Sequence, residues 1–222
     1  MIKAVVFDLD NTLIDSVDTI WMCADHVLRS NGYSGVDRRT AEKAMGLTIF
    51  DLFSLAEPGI GTGTLEKLAM DYRKCYMDFH SHSRVIPHAR RALEETKKRG
   101  LRMALVTTKS RDNVLRIMKA FCITDYFEVV VGFEDTKNHK PSPEPILKAA
   151  SLLKVGTDGL LVVGDTDMDV RAGKAAGATT VAVLTGVTPL EKIEAEKPDY
   201  TIKNLQYFEK ILDGALPTAG DR

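Results

Sequence analysis

Two aspartates directly follow an apolar run near the start of the chain, and their spacing is suited to chemistry. Residues 4–7 read Ala-Val-Val-Phe, the composition of a strand buried on both faces, as in the parallel sheet of an α/β protein. Asp8 and Asp10 come next, and side chains two positions apart on extended chain point to the same side. Two carboxylates held this close repel each other unless a cation or a proton intervenes. The pair therefore predicts a metal site, an acid/base pair, or both.

Two further sets of candidate site residues are a pair of threonines after an apolar run and a lysine in a loop. Thr107 and Thr108 follow the apolar residues 103–106, and a hydroxyl together with the free N–H groups at a helix start can hold an anion. Lys140 stands on a loop that two prolines stiffen. Each signal has an ordinary alternative, because such threonines often cap helices and a lysine beside proline is usually a solvated loop residue.

More acids follow a later apolar run. Asp165, Asp167 and Asp169 come after residues 160–163, again where a strand would turn into a helix. Taken alone, Asp167 and Asp169 could simply cap a helix and complement its dipole. Together with the first acids, they predict that carboxylates, a hydroxyl and a lysine converge at one edge of a sheet.

The elements that would position these residues alternate from residue 87 onward. The pattern predicts helices over residues 89–99, 111–121, 143–153, 168–176 and 204–212, and strands over residues 102–107, 128–131, 160–163, 179–184 and 200–202. Strands that alternate with helices predict an α/β fold with a doubly wound, Rossmann-like parallel sheet. The carboxyl ends of such strands share one edge, where ligands bind.

The residues between the first predicted strand and this alternation have a different pattern. Residues 18–30 and 64–79 repeat at helical spacing, and no strand alternation is visible between them. The predicted organisation is a core domain of residues 1–14 and 85–222 that carries an inserted all-helical module of residues 15–84. The glycines within residues 59–63 lack the lysine of a phosphate loop, so a turn between helices is expected there. The end from residue 214 onward is expected to fray.

Composition limits the partners of the chain. It has 222 residues, of which 44% are hydrophobic and 27% charged, and a net charge of −1. This balance of charges gives no excess of basic residues of the kind that binds nucleic acid or an anionic membrane. No apolar stretch approaches the roughly 20 residues of a membrane span. The three cysteines have no metal-ligand spacing. We therefore expect reduced, buried thiols and a cytoplasmic location.

The ordered combination of these signals resembles the haloacid dehalogenase (HAD) superfamily, in which four motifs occur in this order. The matching positions are residues 8–13, Thr107, Lys140 and residues 164–169. The inserted helical module resembles the first type of cap domain in that superfamily. The sequence departs from the usual pattern at Asn11, where glycine is more common, and at Thr108, where asparagine is frequent.

The resemblance implies a phosphoryl-transfer mechanism. Asp8 would be the nucleophile and form an aspartyl-phosphate, while Asp10 would serve as general acid and then as general base. Mg²⁺ would be bound by the side chains of Asp8 and Asp165, by the backbone carbonyl of Asp10, and by Asp169 directly or through water. The acid at position 10 favours phosphoryl transfer over dehalogenation, because the dehalogenases lack an acid at the matching place.

The resemblance also implies which residues bind the phosphate. Thr107, Thr108 and backbone N–H groups would hold the phosphoryl oxygens, and Lys140 would pair with Asp8 and with the developing charge. Thr107 and Lys140 thus count among the expected catalytic residues.

Substrate choice is expected to lie in the cap. Arg38, Arg39 and Lys43 would suit an anionic substrate such as a small phosphorylated acid, with residues 45–47, Arg73 and Lys74 as further candidates. The alternative is that these charges are solvated helix-surface residues.

Three histidines near the return from cap to core raise the possibility of a metal site. His80, His82 and His88 have no acid or cysteine arranged around them. Ordinary polar residues of a hinge region are therefore the favoured interpretation.

Three functions remain open from the sequence. The favoured hypothesis is a magnesium-dependent phosphatase similar to the phosphoglycolate phosphatase-like branch, which also contains pyrophosphatases and nucleotide phosphatases. A sugar phosphomutase of the same fold is the second, and a non-catalytic phosphate-binding protein is the third. The expected partner is a small phosphorylated substrate, with no nucleic acid or membrane, and the chain is expected to be a monomer or a homodimer.

Overall fold

A six-stranded sheet lies at the centre of the computed structural model, which describes residues 1–215. The strands in chain order are β1 (Ala4–Phe7), β2 (Ile14–Asp15), β3 (Arg84–Val85), β4 (Arg102–Val106), β5 (Val129–Val131), β6 (Leu160–Gly164), β7 (Thr179–Val183) and β8 (Tyr200–Ile202). The main sheet has the order β5-β4-β1-β6-β7-β8, and all neighbouring strands in it are parallel. The predicted α/β fold with a parallel sheet is confirmed.

The register of the central strands determines where the polar residues meet. Strand β1 pairs with β4 on one side and β6 on the other, and Phe7 lies opposite Leu105 and Val163. All four residues of β1 are fully buried. The residues that follow these three strands therefore emerge side by side at the carboxyl edge of the sheet.

Helices cover both faces of the sheet, so side chains of β1 alternate between two apolar clusters. Val5 and Phe7 belong to the larger cluster, in which the Phe7 ring centroid lies 5.5 Å from that of Phe208. Val6 packs in the second cluster with residues such as Ala149. Burying each large apolar side chain contributes about 1.5–3 kcal/mol, so the sheet is firmly anchored beneath its polar edge.

Ten α-helices surround the sheet within the part of the chain that the structure describes. They are α1 (Val17–Ser30), α2 (Arg38–Lys43), α3 (Ile49–Ala56), α4 (Thr62–Cys75), α5 (Ala89–Lys98), α6 (Arg111–Ala120), α7 (Glu144–Leu153), α8 (Asp167–Ala175), α9 (Leu190–Ala195) and α10 (Phe208–Leu212). Helices α2, α3 and α9 were not predicted, because their six to eight residues are too few for a clear helical period. The predicted helix over residues 64–79 becomes a 3₁₀ helix at Tyr76.

A short two-stranded ribbon joins the inserted helices to the core, which corrects the expectation of no strand in residues 15–84. Strands β2 and β3 pair antiparallel, with Ile14 opposite Val85 and Asp15 opposite Arg84. Strands of two residues are too short for an alternating pattern to be visible in the sequence. Helices α1 to α4 lie between the two strands of this ribbon.

The cysteines differ from the expectation of three separate, buried thiols. The Sγ atoms of Cys23 and Cys75 lie 2.8 Å apart between α1 and α4, and Cys23 is fully buried. Cys122 is exposed. The two paired cysteines are distant in the sequence, so their spacing could not reveal the contact.

None of the helices within residues 1–215 is long and apolar enough to cross a lipid bilayer. The predicted fraying of the chain end falls mostly on residues 216–222, which lie outside the described residues.

Candidate active site

Asp8 begins the polar edge of the sheet. Its backbone N–H donates to the Val163 carbonyl at 2.9 Å, which continues the β1–β6 pairing by one residue and fixes the side chain above the strand ends. Asp8 is only 8% exposed. Burial, with Asp169 and Asp10 nearby, raises the pKa of Asp8 to about 7 even though Lys140 lowers it. The carboxylate therefore needs positive charge beside it to remain ionised at neutral pH.

Lys140 supplies one such charge. Its Nζ donates to Asp8 Oδ1 and to Asp169 Oδ1, both at 2.6 Å, and to the Val106 carbonyl at 3.3 Å. Burial alone would lower the pKa of Lys140, but the Asp169 and Asp8 carboxylates outweigh that effect and raise it. The lysine therefore stays charged and bridges two loops that follow different strands.

The two carboxylate oxygens of Asp169 have different hydrogen-bond partners. Oδ2 accepts hydrogen bonds from the Thr166 hydroxyl at 2.6 Å and the Thr166 backbone N–H at 3.1 Å, which closes a capping box at the start of α8. Oδ1 binds Lys140. Asp169 therefore caps the helix and also contacts Lys140, while its role as a metal ligand stays a prediction.

Asp165 lies deepest in the group. The Thr12 hydroxyl donates to its Oδ1 at 3.0 Å, while its buried Oδ2 has no hydrogen-bond partner among the described residues. Burial and the neighbouring acids Asp8 and Asp169 hold the pKa of Asp165 well above its usual range. A Cβ at Gly186 would lie 1.9 Å from Oδ2, so this position needs glycine to leave room for the carboxylate.

Three of these carboxylates fit a divalent cation. Oxygen atoms of Asp8, Asp165 and Asp169 lie within 4.8 Å of one another, and all three residues are buried. The unpartnered Oδ2 of Asp165 and the raised pKa values of Asp8 and Asp165 are the features that a bound cation would resolve. Hard oxygen donors of this kind are typical ligands of a divalent cation.

Asp10 lies beside this cluster and is held by its own pair of contacts. The Ser16 hydroxyl donates to Asp10 Oδ1 at 2.6 Å, and Lys109 Nζ lies 3.3 Å from Oδ2. The next residue after Asp10 is Asn11, whose φ of 56° is in the left-handed region that glycine and asparagine tolerate best. This conformation explains why asparagine can stand where the resemblance leads one to expect glycine.

Lys109 and Ser16 are site residues that the sequence did not single out. Lys109 is almost fully buried, and its Nζ lies 4.1 Å from the centre of the Tyr76 ring. Burial would lower its pKa, but Asp10 and Tyr76 raise it, so the ammonium is retained. The sequence feature that could have identified Lys109 is its position in the turn after β4, at the same edge of the sheet as Thr107.

The two threonines of that turn have different surroundings. Thr107 is 5% exposed, and its Oγ1 accepts from the Lys109 backbone N–H at 3.2 Å. The Thr108 hydroxyl instead donates to the Leu47 carbonyl at 3.0 Å, which ties the core to the loop between α2 and α3. Thr107 therefore lies at the sheet edge with the acids, whereas Thr108 lies where the inserted helices meet the core.

The inserted helices close over a cavity next to Asp10. Residues 45–47 and Arg73, which the sequence named as candidates, line this cavity. Arg39 and Lys43 are exposed and do not belong to its lining. The structure thus brings one of the predicted cap cations, Arg73, to the cleft.

The histidines remain apart from the acids. His80, His82 and His88 are exposed, and none belongs to the metal-competent group found among residues 1–215. Their assignment as polar hinge-region residues stays a prediction.

Known proteins are similar to this chain in both fold and sequence. The family model of haloacid dehalogenase-like hydrolases matches residues 5–183. The chain is 32% identical over 212 residues to pyrophosphatase PpaX of Bacillus thuringiensis, covering 95% of this chain and 96% of that protein. It is 29% identical over 215 residues to phosphoglycolate phosphatase of Aquifex aeolicus, covering 96% and 98%. The structure of beta-phosphoglucomutase from Clostridium difficile has a TM-score of 0.83 at 19% identity, over 97% of each chain.

A parallel α/β sheet with a buried carboxylate cluster at its carboxyl edge defines an enzyme scaffold, and the matches narrow its class to hydrolases. The chain belongs to the haloacid dehalogenase-like hydrolase family.

Proposed function

We propose that this hydrolase is a magnesium-dependent phosphatase that cleaves a small phosphate monoester through an aspartyl-phosphate on Asp8. The observation that carries the proposal is the buried Asp8 carboxylate, held at 2.6 Å by Lys140 within 4.8 Å of two further carboxylates. Such a group is costly to bury unless it has a chemical role. The names of the relatives, a phosphoglycolate phosphatase and a pyrophosphatase, support phosphate chemistry.

The metal would be held by residues already at the sheet edge. Asp8 and Asp165 would offer side-chain oxygens, Asp10 its backbone carbonyl, and Asp169 an oxygen directly or through water. When bound, Mg²⁺ would neutralise charge on the phosphate and on the acids. In this proposal residues 15–84 form the cap, and residues 1–14 and 85–222 form the core.

The first chemical step uses Asp8 and Asp10. An oxygen of the Asp8 carboxylate attacks phosphorus, and the bond between phosphorus and the leaving oxygen breaks. Asp10 gives a proton to that leaving oxygen, so the alcohol departs neutral. Lys140 favours the ionised form of Asp8 and orients its carboxylate for attack.

The second step reverses the proton transfer. Asp10, now a carboxylate, takes a proton from water as the water oxygen attacks phosphorus. The bond between phosphorus and Asp8 breaks, which frees inorganic phosphate and restores both acids. Ser16 and Lys109 hold Asp10 from two sides, and Thr107 offers its hydroxyl to the phosphoryl oxygens.

Inorganic pyrophosphate is the second candidate substrate. The name of the relative from Bacillus thuringiensis favours it. The same two steps would then release phosphate from a phosphoanhydride.

The proposal is tested by magnesium-dependent phosphate release from a panel of phosphoglycolate, pyrophosphate, nucleoside monophosphates and sugar phosphates. We expect Asp8→Asn to lower release by at least about 10⁴-fold, because the nucleophile is lost. Asp167→Asn is the matched control, since Asp167 begins the same helix as Asp169 but lies outside the carboxylate group. Mass spectrometry of rapidly quenched enzyme should show one added phosphoryl group on Asp8. Activity that survives Asp8→Asn, or isomerised sugar phosphate without free phosphate, contradicts the proposal.

A further inference from the structure

Two cysteines of the inserted helices meet in the fold, although they are distant in the chain. The Sγ atoms of Cys23 on α1 and Cys75 at the last position of α4 lie 2.8 Å apart. The sulfur atoms of a disulfide lie about 2.05 Å apart, so these two need to approach by less than about 1 Å to bond. A cross-link therefore asks for only a small movement of the two side chains.

The two thiols differ in access and in how easily they ionise. Cys23 is fully buried, whereas Cys75 is partly exposed. A hydrogen bond from the Cys23 thiol lowers the pKa of Cys75, while the same contact and burial raise the pKa of Cys23. The thiolate is the reactive form of cysteine. Cys75 is therefore the thiol that would react first with a soluble oxidant, and Cys23 is the thiol in contact with it.

The third cysteine offers an internal contrast. Cys122 is exposed and lies at the surface beside Glu94 and Lys97 of α5. Its sulfur has no second thiol in contact within residues 1–215. Exposure and contact with another thiol are thus separated between Cys122 and the Cys23–Cys75 pair, and variants can distinguish them.

The cysteine pair contacts a residue that lines the cavity beside Asp10. Each of the two Sγ atoms lies 3.7 Å from the Tyr72 carbonyl oxygen, and Tyr72 belongs to the cavity lining. Tyr76 directly follows Cys75, and the centre of its ring lies 4.1 Å from Lys109 Nζ. A bond between the two sulfurs would therefore hold the end of α4, with both tyrosines, against α1.

We propose that Cys23 and Cys75 are a site of reversible disulfide formation, driven by hydrogen peroxide, that ties α1 to α4 next to the cavity. The Cys75 thiolate attacks one peroxide oxygen, and the O–O bond breaks. Cys75 becomes a sulfenic acid, and the other oxygen leaves as hydroxide and takes up the proton that Cys75 had released. The Cys23 sulfur then attacks the Cys75 sulfur. The S–O bond breaks, and the leaving hydroxide takes the Cys23 proton, so two thiols lose two electrons and the peroxide becomes two waters.

Mass spectrometry of the full-length chain tests this proposal. The reduced protein is treated with hydrogen peroxide, and its intact mass and its peptides are analysed without reductant. We expect the loss of two hydrogen atoms and a linked pair of peptides that contain Cys23 and Cys75. Of the three thiols in the chain, two should disappear from titration after denaturation, and dithiothreitol should restore them.

Thermal melting gives a second readout on the same samples. Oxidation should raise the Tm of the wild type by about 5–10 °C, because the bond restricts the unfolded chain between the two linked positions. Cys75→Ser, at the partly exposed position, should show neither the linked peptides nor the rise in Tm. Cys122→Ser is the matched control and should keep both.

A further variant checks the order of the two steps. Cys23→Ala removes the thiol that would resolve the sulfenic acid. Peroxide should therefore leave a sulfenic acid on Cys75, which the reagent dimedone labels. The wild type should be labelled much less, since Cys23 consumes that intermediate.

Several results would each overturn the proposal. They are oxidation confined to Cys122, a sulfinic acid on wild-type Cys75 without linked peptides, a bond between two molecules instead of within one, and a bond that lowers Tm. These measurements on the wild type, Cys75→Ser and Cys122→Ser decide the matter even if Cys23→Ala does not fold. None of them requires phosphatase activity, so the inference stands or falls independently of the proposed function.

Discussion

The carboxylate cluster and the neighbouring cavity differ in the chemical character of their side chains. The cluster of Asp8, Asp165 and Asp169 concentrates buried negative charge around one lysine and suits a cation. The cavity is lined mostly by apolar side chains, with Arg73, Lys109 and Ser110 among its polar residues. Under the proposed mechanism, the transferred phosphoryl group would lie at the charged cluster and the leaving group at the mainly apolar cavity. Changes in the cluster should therefore affect every substrate, whereas changes in the cavity should affect substrates selectively.

The largest effect is expected for Lys140→Met. Loss of the ammonium leaves Asp8 and Asp169 unpaired and removes positive charge from the developing transition state, so kcat should fall by about 10³-fold on every substrate. Steady-state kinetics on two unrelated phosphate esters checks this result. Lys137→Met, which alters an exposed lysine on the same loop, should remain active. A loss of activity on only one substrate would contradict the expectation that changes in the cluster affect every substrate.

A smaller effect is expected for Gly186→Ala. The new Cβ would fall 1.9 Å from Asp165 Oδ2 and displace that carboxylate. The magnesium concentration for half-maximal activity should rise by about 10- to 100-fold, while activity at saturating magnesium recovers in part. Gly63→Ala is the control, because a Cβ at that exposed helical position meets open space. An unchanged magnesium requirement would argue that Asp165 is not a ligand.

The smallest effect concerns stability near the cavity wall. His139 stacks on Phe133, with ring centroids 4.2 Å apart, and burial lowers its pKa below the ordinary value of 6.5. The unfolded chain therefore binds the proton more readily, so stability should fall as pH drops below about 6.5. Because His139 is partly exposed, the change should stay well under about 1 kcal/mol.

Denaturant midpoints measured between about pH 5 and pH 8 test this expectation. His139→Phe should flatten the profile in that window, since the stacked ring is kept and the titrating group is lost. His82→Phe, at an exposed position in the 3₁₀ helix after α4, should leave the slope unchanged. A steeper profile in His139→Phe would show that another group dominates.

Much of the carboxylate cluster could be predicted from the sequence because a parallel sheet imposes its geometry. Asp8, Asp165 and Thr107 each follow a buried apolar run, and the carboxyl ends of neighbouring strands must meet. Lys140 comes from a loop that does not end a central strand, so its place at the edge was predicted from the ordered combination of signals and from the resemblance, and not from strand order alone. Its contact with Asp169 depends on how two loops fold over the edge, which no local pattern encodes.

The cavity was less predictable because its residues meet only through tertiary packing. Arg39 and Lys43 looked as suitable as Arg73, since all three are basic residues on helices of the same inserted segment. Only the packing of α4 against the turn at Phe133 distinguishes Arg73. Ser16 was missed for a similar reason, because its hydrogen bond to Asp10 depends on how the chain turns after β2.

The ribbon of β2 and β3 joins the two ends of the segment that contains helices α1 to α4. The chain leaves the core at Asp15 and returns at Arg84, and these two residues are directly paired, with Arg84 Nε 3.4 Å from Asp15 Oδ2. An insertion whose ends are already joined adds little strain to its host whatever its length. Replacement of the whole segment would therefore leave the strand ends that carry Asp8, Thr107 and Asp165 in register. Under the proposed function, the segment that selects the substrate could therefore change while the reacting groups stay in place.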